Sequence, residues 1–360
     1  MTNEIWTIKR CLDWTRDYLD RRGDERPRLS AEWLLSSVTG MSRTELYMSF
    51  DKPMDPRELD AMHAAVVRRA KGEPLQYIAG ETSFRMIDVA CEPGVLIPRP
   101  ETELIVEEVL SFLDRVVLDA APSRARTELP WNSEVQAARE AELEAAAKRE
   151  GADGGDASVG GEPESGAEPI APGPSEPERV ARVLEVGCGT GCISLSLAYE
   201  RPQRVTCVST DIEPRAVDLA VRNRNALGMD ADAVDIRLGN LVSPLDRETE
   251  WGTFDVLVSN PPYIPSDVMA TLPHEVADYE PALALDGGGD GLDIFRRLVN
   301  AAPHMLRPGG LLACELYEGH LDAAAELCRA AGMHDVVVKR DLTDRPRMVL
   351  ARVGDEHALG

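Results

Sequence analysis

The tetrapeptide Asn260-Pro-Pro-Tyr263 follows directly after an apolar run, residues 254–259, which is predicted to be a buried strand. Two prolines fix φ and remove two backbone donors. The polar atoms that remain are therefore biased toward acceptors, namely the side-chain oxygen of Asn260 and the carbonyl of Pro261. A pair of acceptors suits a substrate with two N–H donors on one planar nitrogen. Tyr263 offers an aromatic face against which such a group can lie.

Two acceptors on one NH2 group would assist the transfer of an electrophilic group to that nitrogen. An amide nitrogen is a poor nucleophile because its lone pair is delocalised. Asn260 and Pro261 would orient the nitrogen and stabilise the positive charge that develops on it. A carboxylate would supply no donors and leave both acceptors unpaired, at a cost of about 1–3 kcal/mol per buried group. The alternative interpretation is a proline-stiffened turn without a chemical role.

A glycine-rich loop, Gly187-Cys-Gly189-Thr-Gly191, lies between a predicted strand at 183–186 and a predicted helix that begins at Cys192. Glycines allow a tight turn and a close approach of the backbone to a ligand, and the helix N-terminus presents free N–H groups. A dinucleotide-binding fingerprint would need glycine or alanine at position 192. The G-x-G-x-G spacing is instead typical of methyltransferases, in which the loop packs against the methionine part of S-adenosylmethionine.

Asp211 ends the next predicted strand, 22 residues beyond Gly189. A carboxylate at this place can accept hydrogen bonds from both hydroxyls of a ribose. Alone, the glycines fit a generic turn equally well and Asp211 fits a helix cap, but together they favour a cofactor site. Cys188 and Cys192 have no second Cys/His pair to complete a ligand set, so no metal site is predicted.

Composition restricts the class of protein. Hydrophobic residues make up 43% of the 360 residues, and the formal net charge is −24. Such a charge repels a phosphate backbone, which argues against a nucleic-acid substrate. The sequence has no apolar run of about 18 residues and no secretory signal, so we expect no association with a membrane. Seven cysteines without framework spacing predict reduced thiols in a cytoplasmic protein.

The first part of the chain is predicted to carry no catalytic signature. Residues 1–72 are predicted to form a small helical domain suited to docking a partner or acting as a lid, with a capping box at Ser42 and another helix start at Asp55. Residues 73–103 contain short β-prone pieces separated by Gly and Pro, which predict a hairpin linker. Residues 104–118 have helical periodicity and lead into the next domain.

The second part of the chain divides into three segments. Residues 119–179 are rich in acidic residues, Gly and Pro and are predicted to be a flexible insertion. Residues 180–353 alternate strands and helices, and 354–360 are a tail. The predicted strands lie at 183–186, 205–210, 254–259, 311–316, 335–340 and 347–352. This alternation predicts an α/β fold with a mostly parallel sheet between two layers of helices, which binds ligands at the carboxyl ends of its strands.

The chain resembles the peptide chain release factor glutamine methyltransferase family (PrmC/HemK) over nearly its whole length outside 119–179. DNA amino-methyltransferases share the Asn-Pro-Pro-Tyr motif, but the Ile-Pro-Arg-Pro-Glu-Thr-Glu stretch favours this family, also over ribosomal-protein glutamine methyltransferases. The resemblance rests on Gly72-Glu-Pro-Leu-Gln-Tyr-Ile-Ala-Gly80, Leu96-Ile-Pro-Arg-Pro-Glu-Thr-Glu103, Leu184-Glu-Val-Gly-Cys-Gly-Thr-Gly191, Ser259-Asn-Pro-Pro-Tyr-Ile264, Gly289-Asp-Gly-Leu-Asp293 and Asp341-Leu-Thr-Asp-Arg-Pro-Arg347.

The resemblance implies methyl transfer from S-adenosylmethionine to the glutamine of the Gly-Gly-Gln motif in class 1 translation release factors. It implies a Rossmann-like class I methyltransferase domain with a seven-stranded, mostly parallel sheet, preceded by a small helical domain and a β-hairpin linker. We expect a monomer. Asn260 and Pro261 would be catalytic, and the glutamine would be held by Asn260, Pro261, Pro262 and Tyr263. The cofactor would be contacted by Gly187, Cys188, Gly189, Thr190, Gly191, Asp211, Asn240, Leu241 and Asn260.

Asn240 and Leu241 depart from the family pattern, which usually has an acidic residue followed by a large aromatic or apolar one beside the adenine. The Asn240 side chain can still hydrogen-bond the adenine amine. Three alternatives to the main hypothesis remain at this point: methylation of a DNA or RNA base, methylation of a ribosomal protein, and a non-catalytic assembly module that keeps the fold.

Overall fold

The computed structural model describes residues 5–118 and 179–354. The predicted flexible insertion lies outside the described residues except for Arg179, and the predicted tail lies outside them except for Gly354. In the described ranges, no helix combines the length and the apolar character that crossing a membrane requires.

The N-terminal region is helical, as predicted. Ser42 and Glu45 form a reciprocal capping box at the start of the helix Arg43–Met48. Asp55 and Glu58 form another at the start of the helix Pro56–Arg69. These bonds satisfy backbone donors that a helix N-terminus otherwise leaves unpaired. The apolar faces bury a shared core, and the helices are α1 (Ile8–Arg21), α2 (Pro27–Thr39), α3 (Arg43–Met48), α4 (Pro56–Arg69) and α5 (Leu75–Ala79).

A two-stranded antiparallel hairpin joins this region to the rest of the chain. It consists of β1 (Glu81–Phe84) and β2 (Ile87–Ala90). A 3-10 turn at Pro100–Thr102 then runs into α6 (Glu103–Phe112), which ends in a π-helical turn at Leu113–Val117.

A seven-stranded sheet forms the centre of the described residues, in the order β5-β4-β3-β6-β7-β9-β8. Neighbouring strands from β5 to β7 are parallel, and β9 is antiparallel to both of its neighbours. The predicted fold class is therefore confirmed. The strands are β3 (Ala181–Val186), β4 (Val205–Asp211), β5 (Val234–Leu238), β6 (Phe254–Ser259), β7 (Leu306–Glu315), β8 (His334–Arg340) and β9 (Pro346–Arg352).

Helices cover the sheet because alternate residues of each strand point to opposite faces. On one face, Leu257 and Leu312 belong to a buried cluster with Phe295 of the helix Asp293–Met305 and Ala324 of the helix Leu321–Ala330. On the other face, the hydroxyl of Ser209 in β4 and the hydroxyl of Ser194 in α7 (Cys192–Glu200) form a hydrogen bond. The helices of this part are α7 (Cys192–Glu200), α8 (Pro214–Ala226), α9 (His274–Ala277), α10 (Ala282–Leu285), α11 (Asp293–Met305) and α12 (Leu321–Ala330).

One strand of the sheet was not predicted from the sequence. β5 lies at the sheet edge, where Val234 is buried and the residues that follow it are only half-buried or exposed. Its charged residues Asp235 and Arg237 alternate with apolar ones, so the segment lacks the continuous apolar run by which the central strands are recognised. β7 also begins earlier than predicted, at Leu306, with an irregular register against β6.

Candidate active site

A cavity of about 310 Å³ opens at the carboxyl ends of β3, β4 and β6. This is the edge at which open parallel sheets bind their ligands. Its lining comes from stretches that are far apart in the sequence, within the ranges 94–102, 185–193, 210–216, 239–241, 259–262 and 281–297.

Most of the predicted site residues lie together in this cavity. The residues from the predicted set that line it are Gly187, Cys188, Gly189, Thr190, Asp211, Asn240, Leu241, Asn260, Pro261 and Pro262. Gly191 and Tyr263 are not among the lining residues. Gly191 is instead the N-cap of α7, and Tyr263 is half-buried against the core below the cavity.

The glycine loop needs glycine for two different reasons. Gly187, Gly189 and Gly191 all have positive φ, between 55° and 82°, where a side chain would be strained. At Gly191 a Cβ atom would also lie 3.1 Å from a side-chain carbon of Leu195 and 3.2 Å from that of Ala220. The loop can therefore pack closely against α7 and α8 while its backbone faces the cavity.

Asp211 is tied to the glycine loop. One carboxylate oxygen accepts the N–H of Gly189 at 2.8 Å, and the other accepts the N–H of Glu213 at 2.9 Å. Burial raises the pKa of Asp211, and these backbone donors oppose that effect. Each oxygen still has a second lone pair with which it can accept a further hydrogen bond.

A second carboxylate, Glu185, lies beneath the loop. It is almost fully buried and accepts the N–H of Ser194 at 3.1 Å and the hydroxyl of Ser209 at 3.3 Å. Burial raises the pKa of Glu185 to about 7. Glu185 was not predicted as a site residue, although its place near the end of β3, two residues before the loop, was a signal.

On the far side of the cavity, Asn240 is exposed and its side-chain oxygen accepts from Arg297 at 2.9 Å. Leu241 is half-buried and has a φ of 51°, which holds this turn beside the end of β5. Arg297 was not predicted as a site residue. It lies in α11, shortly after the Gly289-Asp-Gly-Leu-Asp293 stretch but outside it.

Asn260 stands at the end of β6, where the buried Ser259 donates to the carbonyl of Val186 at 2.7 Å. The side-chain nitrogen of Asn260 donates to the hydroxyl of Thr102 at 3.1 Å. This bond fixes the amide with its NH2 group toward Thr102, and the amide oxygen remains available as an acceptor. Thr102 also lines the cavity and was missed as a functional residue. The signal was the Ile-Pro-Arg-Pro-Glu-Thr-Glu stretch.

A glycine-containing loop supports the Asn-Pro-Pro-Tyr segment from behind. The N–H of Gly287 donates to the carbonyl of Ile264 at 2.8 Å. A Cβ atom on Gly287 would lie 2.7 Å from the Cα of Tyr263 and 2.8 Å from the carbonyl oxygen of Pro262. The backbone of the predicted substrate-binding segment is therefore packed without spare volume. Burial raises the pKa of Tyr263 to about 12, so its phenol remains neutral.

Comparison with known proteins assigns the family. Residues 10–80 match the PrmC N-terminal domain, and residues 174–276 match the methyltransferase small domain. The release factor glutamine methyltransferase of Geobacter sulfurreducens is 38% identical to this chain over 98% of both proteins, and that of Chlorobaculum tepidum is 34% identical over 94% of both. This chain belongs to the release factor glutamine methyltransferase family. The predictions of the family and of a methyltransferase that uses S-adenosylmethionine are thereby confirmed.

The cavity fits the cofactor of this family. The hydroxyl of Thr210 lines it, is fully buried and has no hydrogen-bond partner among the described residues, so a ligand atom could satisfy it. Asp211 presents its carboxylate to the same cavity. In residues 5–118 and 179–354, no cluster of His, Cys, Asp and Glu is arranged to hold a metal ion.

Proposed function

We propose that this chain transfers a methyl group from S-adenosylmethionine to the side-chain amide nitrogen of the glutamine in the Gly-Gly-Gln motif of class 1 release factors. The observation that carries the proposal is the orientation of Asn260. Its NH2 group is bound by Thr102, so its oxygen is left as an acceptor in the cavity that the glycine loop and Asp211 also line. The relatives from Geobacter sulfurreducens and Chlorobaculum tepidum are release factor glutamine methyltransferases, which supports a release factor glutamine as the substrate.

The proposed site recognises the substrate by its donors. The oxygen of Asn260 and the carbonyl of Pro261 accept the two hydrogens of the carboxamide, while Pro262 and Tyr263 shape the backbone that presents them. S-adenosylmethionine, when bound, supplies a methyl group on a positively charged sulfur. The substrate nitrogen gains this methyl group and releases one proton. The two acceptors stabilise the positive charge on the nitrogen before that proton leaves.

The cofactor would be held by Gly187, Cys188, Gly189, Thr190, Gly191, Asp211, Asn240, Leu241 and Asn260. In this arrangement the glycine loop contacts the methionine part and Asp211 binds the ribose. Asn240 and Leu241 flank the adenine. Gly191 acts through the shape of the loop, because it does not itself line the cavity.

The rest of the chain supports a protein substrate. We propose that residues 1–72 dock the release factor, that 73–103 link them to the catalytic domain through helix 104–118, and that 180–353 form that domain, followed by the tail 354–360. The net charge of −24 argues against direct binding to nucleic acid. All seven cysteines are unpaired and buried, which fits a reducing cytoplasm. We expect a monomer.

The test is methyl transfer from labelled S-adenosylmethionine to a purified release factor. The label should appear in the wild-type factor and be absent when the glutamine of its Gly-Gly-Gln motif is replaced by alanine. Equal labelling of both factors would contradict the proposed substrate.

Asn260→Ala should lower kcat by about 100-fold or more, because it removes an acceptor that acts on the developing charge. The cofactor Kd from calorimetry should rise by less than about threefold, because the other residues of the cofactor set still hold it, and the melting temperature should remain nearly unchanged. Asn300→Ala, at an exposed position of α11 outside the cavity, is the matched control and should retain full activity. An Asn260→Ala variant as active as the control would refute the role given to this side chain.

A further inference from the structure

Behind Asn260 lies a buried carboxylate that the proposed reaction does not use. Glu315 is the last residue of β7, next to the end of β6, and only 2% of it is exposed. One of its oxygens has no hydrogen-bond partner among the described residues. A buried carboxylate with an unsatisfied oxygen destabilises a fold, so its presence calls for a functional reason.

Thr102 connects Glu315 to Asn260. Its hydroxyl accepts from the Asn260 side-chain nitrogen at 3.1 Å and also interacts with the Glu315 carboxylate. A hydroxyl has a single hydrogen to donate. Because the Asn260 NH2 group is itself a donor, the hydrogen of Thr102 is directed to Glu315. Asn260 thus donates to Thr102, and the Thr102 hydroxyl in turn favours the ionised form of the buried Glu315 carboxyl, whose pKa it lowers by hydrogen bonding.

Charged groups on several elements surround Glu315. Arg347, at the start of β9, and Arg99, before the 3-10 turn, favour its ionised form, whereas Glu101 on that turn disfavours it. Tyr263 and Cys192 also face it, and both remain neutral at physiological pH because burial raises their pKa values. For Glu315 burial is the largest effect, and it raises the pKa to about 7. The carboxyl therefore changes its charge in the physiological range.

We propose that Thr102 and Glu315 are positioning residues for methyl transfer: they lock the Asn260 amide with its oxygen toward the substrate and polarise it through the hydrogen-bonded line. An ionised carboxylate at one end draws the hydrogens of Thr102 and Asn260 toward itself. Hydrogen bonds in such a line strengthen one another in a medium of low dielectric constant. The Asn260 oxygen becomes more negative and stabilises the positive charge on the substrate nitrogen more strongly. This inference rests on the proposed function of Asn260.

The test compares Thr102→Val, which removes the hydroxyl but keeps the shape, with Thr102→Ser, which keeps the hydroxyl. With a release factor as substrate, Thr102→Val should lower kcat by about tenfold or more, while KM and the cofactor Kd change by less than about threefold. Thr102→Ser should recover most of the lost rate. Equal rates in the valine and serine variants would overturn the proposal.

Glu315→Gln tests the charge at the end of the line. The wild-type kcat should rise as the pH increases through about 7, because Glu315 ionises there. Glu315→Gln should have a lower kcat without this step, and combining it with Thr102→Val should cost less than the product of the two single effects, because both act through Asn260. An unchanged pH profile in Glu315→Gln, with the melting temperature retained, would overturn the proposed polarisation.

A structure of Thr102→Val separates this inference from the proposed function. The Asn260 amide should be turned or disordered in that variant, whichever substrate the enzyme uses. If wild-type enzyme failed to methylate the release factor but Asn260 still moved in Thr102→Val, the substrate assignment would be wrong and the positioning role would stand. If Asn260 kept its orientation in the variant, the positioning role itself would be refuted.

Discussion

Two side chains of the site, Asn260 and Asp211, form hydrogen bonds within the protein and still have acceptor capacity that faces the cavity. Asn260 uses its NH2 group on Thr102 and keeps its oxygen, whereas each oxygen of Asp211 accepts one backbone N–H and keeps one lone pair. The internal bonds set both orientations before a ligand arrives. Less conformational freedom is then lost on binding, which favours affinity.

Asp211→Asn should weaken cofactor binding even though the two side chains have nearly the same shape. An amide would place its NH2 group against the N–H of Gly189 or of Glu213, where the carboxylate accepts. We expect the cofactor Kd from calorimetry to increase by about tenfold or more. Asp218→Asn, at an exposed position of α8, should leave it unchanged. A Kd for Asp211→Asn equal to that of the control would contradict the role of this carboxylate.

Among individual residues, those that lie in contiguous motifs directly after strands could be predicted from the sequence. The glycine loop, Asp211 and Asn260 could be found because the fold places every strand end at the same edge. The role of Thr102 could not be predicted, although it lies in the Ile-Pro-Arg-Pro-Glu-Thr-Glu stretch, because it depends on a contact with Asn260. Glu315 lies in no motif, and it is related to Asn260 only through Thr102. The contact between Thr102 and Asn260 spans 158 residues of sequence and depends on how the 3-10 turn packs against β6.

At the scale of elements, Asn223 of α8 joins the hairpin to the glycine loop. Its side-chain oxygen accepts the N–H of Ala90 at 2.8 Å, and its nitrogen donates to the carbonyls of Ala90 and of Thr190, the latter at 2.9 Å. The side chain is only 3% exposed. One buried amide thereby satisfies backbone groups of the linker and of the predicted cofactor site together.

Asn223→Ala should lower the free energy of unfolding by about 2–3 kcal/mol, because it leaves buried backbone groups of Ala90 and Thr190 unpaired. It should also weaken cofactor binding, because the loop loses a support. Urea denaturation and calorimetry measure the two effects. Asn225→Ala, at an exposed position of the same helix, is the matched control. Full stability of Asn223→Ala would show that the hairpin is held by other contacts.

Elements with a strong apolar pattern were predictable and the edge of the sheet was not. The predicted strand 254–259 coincides with β6. β6 is buried at every position, and its residues are apolar except for Asp255 and Ser259. β5 has one neighbouring strand and a half-buried surface, which permits the polar residues that concealed it. Propensity alone does not identify such a strand, because the contacts made by the sheet edge determine it.

At the scale of the whole molecule, the helical region contacts the segment that follows the Asn-Pro-Pro-Tyr motif. Arg69 of α4 donates to Asp24 at 2.6 Å and to Glu275 of α9 at 3.0 Å. Asp24 and Arg69 are largely buried, whereas Glu275 is half exposed. Tyr279, four residues beyond Glu275, donates to the carbonyl of Lys71 at 3.1 Å. The predicted docking region thus contacts the stretch of chain that follows the predicted substrate-binding segment.

Arg69→Met should lower the free energy of unfolding by about 2 kcal/mol near pH 7, because it leaves the Asp24 carboxylate buried without its cation. Burial by itself raises the pKa of Asp24, but the hydrogen bonds from Arg69, Arg26 and Ser30 outweigh it and lower the pKa below its usual value. The pair therefore stabilises the fold fully above the ordinary pKa of about 4, and this contribution is lost as the pH falls through the folded-state pKa.

Urea denaturation at several pH values between about 7 and 3 checks this prediction, since the difference between wild type and Arg69→Met should shrink on acidification. Arg68→Met removes a neighbouring but more exposed ion pair with Glu73, and it should cost less than about 1 kcal/mol. If the loss of unfolding free energy in Arg69→Met did not change with pH, lost packing would explain it, and the charge of Asp24 would not.

The tight packing of Gly287 behind Tyr263 has a consequence for how genetic variation in this protein is interpreted. A single added methyl group at Gly287 would collide with the backbone of Pro262 and Tyr263, next to Asn260, although Gly287 itself does not line the cavity. Inactivating missense alleles should therefore cluster here as they do at Asn260 itself. The set of positions at which substitutions inactivate the enzyme should therefore be larger than the set of residues that contact the ligands.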